Sequence, residues 1–127
     1  MIKKTFADIK YFAASHEDES EPGVLKKVLL TWEELPKGRR LQMINWATLP
    51  SGKRFRKHFH QDMDEIFIII SGVAEISVNG EKELLSRGDA VLVPVRAVHT
   101  MQNKTKKDAH YLVVGLSQGK GGQTIVI

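Results

Sequence analysis

The sequence has 127 residues, of which 42% are hydrophobic and 27% charged, and it carries a formal net charge of +4. This length and composition are typical of one globular domain and exclude a fully disordered chain. No apolar run approaches the length of a membrane span, and no apolar signal core follows residues 1–4, so we expect a cytoplasmic protein with no membrane partner. Cysteine is absent, which excludes disulfides and leaves only nitrogen and oxygen ligands for a transition metal. Basic and acidic residues are interspersed without a recognition motif, so we expect small anionic molecules rather than nucleic acid as partners.

Residues 1–23 are predicted to form an N-terminal arm and an acidic loop, which precede a single domain at residues 24–127. The first eleven residues fit a short helix and an extended arm equally well. The stretch from His16 to Gly23 is acidic and rich in turn formers. This composition places His16 in a solvated loop.

The rest of the chain alternates short apolar or β-branched runs with turn signals. Turns are expected at Pro36–Gly38, Asn79–Gly80 and Gln118–Gln123. Many short strands with almost no helical period indicate an all-β sandwich or barrel. The predicted strands are Val24–Trp32, Leu41–Leu49, Ile66–Ile70, Val73–Val78, Glu81–Leu85, Ala90–Val93, Tyr111–Leu116 and Thr124–Ile127.

Two histidines precede the most apolar of these runs. His58 and His60 are two residues apart, so in an extended strand both imidazoles lie on one face. A polar break at Gln61–Asp64 predicts a turn, after which Glu65 leads into an apolar run that can return antiparallel beside the histidines. Glu65 could thereby complete a set of three metal ligands.

A second stretch, Gly88 to Asn103, reads GDAVLVPVRAVHTMQN and adds His99 as a fourth candidate ligand. Together with GKRFRKHFHQDMDEIFIIISG at Gly52–Gly72, it resembles the two sequence motifs of the cupin superfamily. The resemblance covers residues 52–103. One position departs from the family pattern, because Arg96 stands where a glycine is usual after the proline.

The cupin resemblance implies a double-stranded β-helix, or jelly-roll barrel, with its ligands inside. It carries four metal positions over to this chain: His58, His60, Glu65 and His99. Three imidazoles and one carboxylate suit one divalent transition metal, which can be Fe, Mn, Ni, Co, Cu or Zn, and leave two octahedral positions open. His110 lies outside both motifs, and its face is not determined by the sequence.

The resemblance leaves two classes of function open. In the first, a metal-dependent enzyme carries out dioxygenase- or isomerase-type chemistry on a small organic anion. In the second, the domain binds a sugar or another small ligand without turnover. The absence of a fused DNA-binding domain favours the enzyme, although the fold does not separate the two classes.

Two further expectations concern partners. If the strand is regular from Lys53 to His60, Arg56 shares the inner face with the histidines and can clamp a carboxylate or phosphate. A bulge before His58 would instead place Arg54 and Arg56 at the rim. Strand-forming segments at both ends of the chain, Ile2–Tyr11 and Thr124–Ile127, present edges to be covered, and small cupins usually dimerise. We therefore expect a homodimer.

Overall fold

The structure is a computed structural model that describes residues 2, 5–34, 40–117 and 123–127. Within these ranges the chain forms eleven strands and two short 3-10 helices, Phe6–Asp8 and Trp32–Glu34. The expected turns at Pro36–Gly38 and in the glycine-rich stretch lie, except for Gln123, outside the described residues. The strands are β1 (Phe12–Ala13), β2 (Leu25–Leu30), β3 (Leu41–Leu49), β4 (His58–His60), β5 (Asp64–Ser71), β6 (Ala74–Val78), β7 (Glu81–Leu85), β8 (Ala90–Val93), β9 (His99–Gln102), β10 (Ala109–Leu116) and β11 (Thr124–Val126).

The strands form two antiparallel sheets that pack as a jelly-roll barrel. The six-stranded sheet has the order β1-β2-β3-β10-β5-β8, and the five-stranded sheet has the order β11-β4-β9-β6-β7. The all-β jelly-roll prediction is therefore confirmed. In the described residues no helix is long or apolar enough to cross a bilayer.

Side chains alternate between the barrel interior and its outer face, as expected for strands with one buried side. β10 shows the pattern in full, because every second residue from Ala109 to Gly115 is buried. The interior is apolar over most of its volume, with Leu49, Ile69, Ile76 and Met101 all within 2% of complete burial. This packing provides the rigid frame on which the polar interior residues are held.

The apolar run after Glu65 does not return beside the histidine strand, contrary to our expectation. β5 pairs with β10 and β8 in the six-stranded sheet, whereas β4 belongs to the five-stranded sheet. The reason is that both edges of β4 are already occupied, by β9 on one side and β11 on the other. Glu65 therefore faces the histidines across the interior rather than along one sheet.

The N-terminal residues take part in the barrel. β1 pairs with β2 through Phe12 and Lys26, and Ala14 packs into the hydrophobic core. The strand expected at Val24–Trp32 is shorter, because it ends at Leu30 and a 3-10 turn follows. The segment that we described as an arm and loop thus includes a strand and part of the core.

Candidate metal centre and its cavity

Four buried side chains meet in the barrel interior: His58, His60, Glu65 and His99. One ligand atom from each residue lies within 4.8 Å of the others. β4 supplies two histidines, and His99 on β9 pairs directly with His58. Glu65 reaches the same point from β5 in the opposite sheet. We call these residues the four-residue cluster, and the structure brings together every candidate ligand that the sequence indicated.

Each histidine of the cluster has its Nδ1 atom in contact with an oxygen of the protein. His58 Nδ1 lies 2.6 Å from the carbonyl oxygen of Arg56, and His99 Nδ1 lies 2.9 Å from that of Ala97. His60 Nδ1 is 3.1 Å from the hydroxyl of Thr124 on β11. A carbonyl can only accept, so His58 and His99 donate from Nδ1, and Nε2 is the ring nitrogen that remains for a metal. This orientation of the outer nitrogen is typical of histidines that bind a metal.

Glu65 supplies the single negative charge of the cluster. Its Oε1 atom lies 2.8 Å from His60 Nε2 and 3.2 Å from His99 Nε2. Burial alone would raise the pKa of this carboxyl, but the contacts with His60 and His99 outweigh burial and lower it. Glu65 is therefore a carboxylate at neutral pH.

The protonation state of His58 also suits metal coordination. Burial, together with the neighbouring His16 and His99, lowers the pKa of His58 to about 3. A neutral imidazole is the form that binds a metal, and the cluster holds it at neutral pH without competition from a proton.

The donor set fits a divalent transition metal. The Nε2 atom of His60 is close to Glu65 but lacks hydrogen-bond geometry, so it is a buried polar atom without a hydrogen bond. Buried polar atoms are rarely left in this state, and a cation at the centre of the cluster would satisfy it. Three imidazole nitrogens and one carboxylate are ligands that first-row divalent metals accept. The four-residue cluster could therefore hold a metal ion.

The cluster opens onto a cavity of about 240 Å³ between the two sheets. This volume lies just below the usual range for small-molecule sites, about 300–1,000 Å³. Its wall includes apolar side chains such as Phe67 and Val113. The polar residues that line it besides the cluster are Ser15, His16, Lys26, Gln42, Asn45 and Tyr111.

His16 lies in the wall of this cavity and not in a solvated loop, so our expectation for it is wrong. Its side chain is 12% exposed, and its ring stacks on His58 with the centroids 4.0 Å apart. Its Nδ1 atom lies 2.7 Å from a carboxylate oxygen of Glu17. That hydrogen bond leaves Nε2 as the ring nitrogen available to a ligand in the cavity. No sequence signal pointed to His16, because its position depends on the fold of the loop around it.

Glu17 fixes this loop against the histidine strand. Its carboxylate accepts hydrogen bonds from the backbone N–H of Gly23 at 2.7 Å and of Arg56 at 2.9 Å. Burial raises the pKa of Glu17, but its hydrogen bonds with His16 and Arg56 together lower it below the usual range. The backbone of Arg56 therefore connects the two residues: its N–H donates to Glu17, and its carbonyl oxygen accepts from His58 Nδ1.

Arg56 does not share the inner face with the histidines. Its side chain is 53% exposed, and its guanidinium lies 3.9 Å from Asp18 at the surface. The regular strand that this placement required is absent, because only a single bridge forms at Arg54 before β4 begins at His58. Phe55 takes the inward position instead and is buried. The arginines lie at the rim, as expected for the irregular alternative.

Two other aromatic or imidazole side chains are excluded from the cavity. His110 pairs in register with Thr48 and contacts its hydroxyl at 3.0 Å on the outer face of the six-stranded sheet. Trp46 lies on the same face, with its ring 5.6 Å from that of His110.

Arg96, which replaces the usual glycine of the second motif, adopts a left-handed backbone conformation with φ of 67°. Its N–H donates to the carbonyl oxygen of His60 at 2.8 Å. The turn before His99 is thus kept despite the side chain, at the conformational cost that a non-glycine residue pays in this region.

The fold and the site define a jelly-roll barrel with a candidate metal centre in its interior. A sequence model described as the cupin domain matches residues 45–115, which is more than half of the chain. The chain therefore belongs to the cupin family, and the resemblance drawn from its two motifs is confirmed.

Solved structures agree on the fold. The polyketide cyclase RemF from Streptomyces resistomycificus superposes with a TM-score of 0.79 at 16% identity, covering 100% of this chain and 86% of that chain. A predicted oxalate decarboxylase from Thermotoga maritima gives a TM-score of 0.78 at 22% identity over 92% of this chain and 99% of that one. A cupin sugar phosphate isomerase from Silicibacter pomeroyi gives 0.71 at 20% identity over 91% and 75%. These proteins have different activities, so the likeness establishes the fold alone.

Curated relatives match over shorter segments. An uncharacterized protein of Aquifex aeolicus is 35% identical over 49 residues, which are 39% of this chain and 40% of that protein. Mannose-1-phosphate guanylyltransferase ManC of Salmonella typhimurium is 30% identical over 47 residues, 37% of this chain and 10% of the enzyme. The matched segments thus span less than half of either relative.

Proposed function

We propose that the protein is a metal-dependent enzyme that acts on a small organic anion by isomerase-type proton transfer. The observation that carries this proposal is the His16–Glu17 pair beside the four-residue cluster in one cavity. Metal ligands alone would suit a binding protein equally well. A carboxylate-held imidazole next to them adds the group that a proton transfer needs.

The metal would be held by His58, His60, Glu65 and His99, and Fe, Mn, Ni, Co, Cu and Zn all accept these ligands. A divalent metal bound there supplies a Lewis acid for a substrate carbonyl or a site for dioxygen. Its charge exceeds the single negative charge of Glu65, which favours an anionic substrate.

His16 is the group that would move the proton. Its Nε2 atom is suited to accept a proton from a carbon next to a substrate carbonyl and to return it to the neighbouring carbon or oxygen. Glu17, hydrogen-bonded to Nδ1, holds the ring in orientation and stabilises the imidazolium that forms in between. Proton loss and return balance within one isomerisation, so no oxidant is required.

Metal binding is tested by elemental analysis of the purified protein. We expect about one metal ion per chain in the wild type, by the ligand chemistry of first-row metals. The double variant His58→Ala/His60→Ala should lose it. His110→Ala is the matched control, since it removes a histidine on the outer face. Equal metal content in the wild type and the double variant would refute the ligand assignment.

Proton transfer is tested by hydrogen exchange in D₂O. The metal-loaded protein is incubated with a panel of small 2-oxo and hydroxy-oxo acids, and loss of the carbon-bound proton signal is followed by NMR. A general base contributes about 10²–10⁴-fold, so His16→Gln should slow the exchange by that factor at unchanged metal content. If the wild type binds members of the panel but promotes no exchange, the domain is a non-catalytic binding protein. If His16→Gln exchanges as fast as an active wild type, His16 is not the base and the proposed proton transfer fails.

A further inference from the structure

We propose that Lys26 forms a carboxylate-binding subsite in the cavity and selects a small carboxylic acid as the ligand. The proposal rests on the proposed function for the position of the metal. It adds a binding site for the part of the substrate that does not contact the metal. It also replaces Arg56, which lies at the rim, as the group that recognises an anion.

Lys26 is placed in the cavity wall by the register of its strand. It pairs with Ala47 of β3, which is a buried core residue, and both side chains line the cavity. The next residue, Lys27, belongs to the opposite face, where its ammonium lies 4.7 Å from the centre of the Tyr11 ring. The two neighbouring lysines thus have different surroundings, and only Lys26 is available to a ligand inside the barrel.

Among the described residues, the ammonium of Lys26 contacts an aromatic ring but forms no ion pair. It lies 5.3 Å from the centre of the Phe12 ring, a cation–π contact from the neighbouring strand β1. Within the described part of the chain, no carboxylate comes within ion-pair distance of it. Burial lowers the pKa of Lys26, and the charge of Glu65 opposes this shift only in part. An anionic ligand would compensate the desolvated charge.

The charges that line the cavity indicate the sign of the ligand. Among the described residues of the wall, only Lys26 and Glu65 carry a formal charge. When Glu65 serves as a ligand to a divalent ion, its charge is more than compensated, and the charge of Lys26 remains. The cavity then has an excess of positive charge in a region of low dielectric, which favours an anion.

The form of the subsite favours a carboxylate over a phosphate. Phosphate sites usually combine several donors, such as arginine forks or the amides of a helix N-terminus. The described wall has neither: its cationic group is one ammonium, and the arginine nearest in sequence to the cluster lies at the rim. The cavity of about 240 Å³ also limits the ligand to a small molecule. A single carboxylate on Lys26, with a second oxygen directed to the cluster, satisfies both constraints.

The test is calorimetric titration of the metal-loaded protein with lactate, pyruvate, lactamide and inorganic phosphate. Lactamide has the shape of lactate without the charge. We expect the wild type to bind one or both carboxylates at least 10-fold more tightly than lactamide or phosphate. Lys26→Met, which keeps the apolar stem, should lose at least 10-fold in carboxylate affinity and lose the preference over lactamide, because one charge-assisted contact is removed.

Two further variants separate charge from structure. Lys26→Arg should stay within about three-fold of the wild type, since the cation is retained. Lys27→Met is the matched control from the same strand and should bind the carboxylates as the wild type does. Circular dichroism and metal content, compared across all variants, report whether a loss of binding reflects a loss of fold.

The subsite is overturned if Lys26→Met binds the carboxylates as tightly as the wild type, if phosphate is preferred, or if the wild type binds neither carboxylate. Its failure is distinguishable from failure of the proposed function. Hydrogen exchange that depends on His16 but not on Lys26 would refute the subsite and leave the proposed function in place. Carboxylate binding that depends on Lys26 in a protein without metal or exchange activity would support the subsite and refute the enzymatic function.

Discussion

Replacing Glu17 with alanine should destabilise the protein, because one carboxylate ties the N-terminal loop to the strand that carries the candidate metal ligands. The Glu17 side chain is only 2% exposed, and it accepts hydrogen bonds from His16 and from the backbone of Gly23 and Arg56. Alanine leaves both backbone N–H groups without this partner. It also frees the ring of His16 from its fixed orientation.

The size of the effect follows from these contacts. Hydrogen bonds to a charged group contribute about 1.5–3 kcal/mol each, so the two backbone bonds together account for about 3–6 kcal/mol. Water can enter the loop once the side chain is removed, which favours the lower end, about 3 kcal/mol. For 127 residues the entropy of unfolding is about 0.27 kcal/mol per kelvin, so the melting temperature should fall by about 11 °C.

Urea denaturation and a thermal melt measure this change. Glu21→Ala is the matched control, since Glu21 is in the same loop but is 83% exposed and only 3.8 Å from Lys53 in a surface pair. That variant should stay within about 0.5 kcal/mol of the wild type. A Glu17→Ala protein as stable as Glu21→Ala would show that the carboxylate does not anchor the loop, and the argument for an ordered His16 would fail with it.

Four other predictions concern pH, backbone conformation and assembly. Because the pKa of Glu17 is lowered in the folded state, its contribution to stability is complete above the unfolded value of about 4.3 and is lost as the pH falls through the folded value. The urea stabilities of wild type and Glu17→Gln should therefore converge at pH values below that lowered pKa. Gly72→Ala should lower the free energy of unfolding by about 2–4 kcal/mol, because φ is +81° and the new Cβ would lie 2.6 Å from the carbonyl oxygen of Asp108. Gly80→Ala, with φ of +85° and open space around the new Cβ, should lower it by only about 1 kcal/mol. Equal losses in the two variants would contradict the steric argument. Arg96→Gly should gain no more than about 1 kcal/mol by relieving the left-handed conformation, and a large loss would show that the side chain stabilises the turn. We still expect a homodimer, since β8 is an edge strand with Leu92 60% exposed, and a monomer by light scattering at micromolar concentration would count against it.

Two residues of the four-residue cluster could be predicted from a local rule, and the other two only from the motifs. His58 and His60 share a face by the two-residue period of a strand, and that period holds from the first to the third residue of β4. Glu65 and His99 could be assigned only through the two motifs, since the sheets that bring them together are formed by distant segments. The strands could also be predicted from local sequence patterns, and β3, β7 and β8 have the expected bounds.

The wall of the cavity could not be predicted in the same way. The position of His16 depends on a hydrogen bond between Glu17 and Arg56, which are 39 residues apart in sequence. Two consecutive lysines in an apolar strand do not reveal which one faces inward, so the sequence does not distinguish Lys26 from Lys27. The interpretation of Arg56 assumed a regular strand, and the irregular backbone before His58 reversed its side. Each of these positions is determined by tertiary contacts rather than by the periodicity of a segment.

The cavity is lined by two parts of the chain whose sequences are constrained to different extents. Residues 45–115, which match the cupin family, contain the whole four-residue cluster, whereas His16 and Lys26 precede this region. β1 and β2 join the sheet only at the outer edge of β3, so their sequence can change without altering the register of β3, β10 and β5. β1 and β2 can therefore vary in sequence while the rest of the barrel stays the same. Two cupins with superposable metal residues can therefore select different molecules. Their ligands have to be compared through the residues of these N-terminal segments.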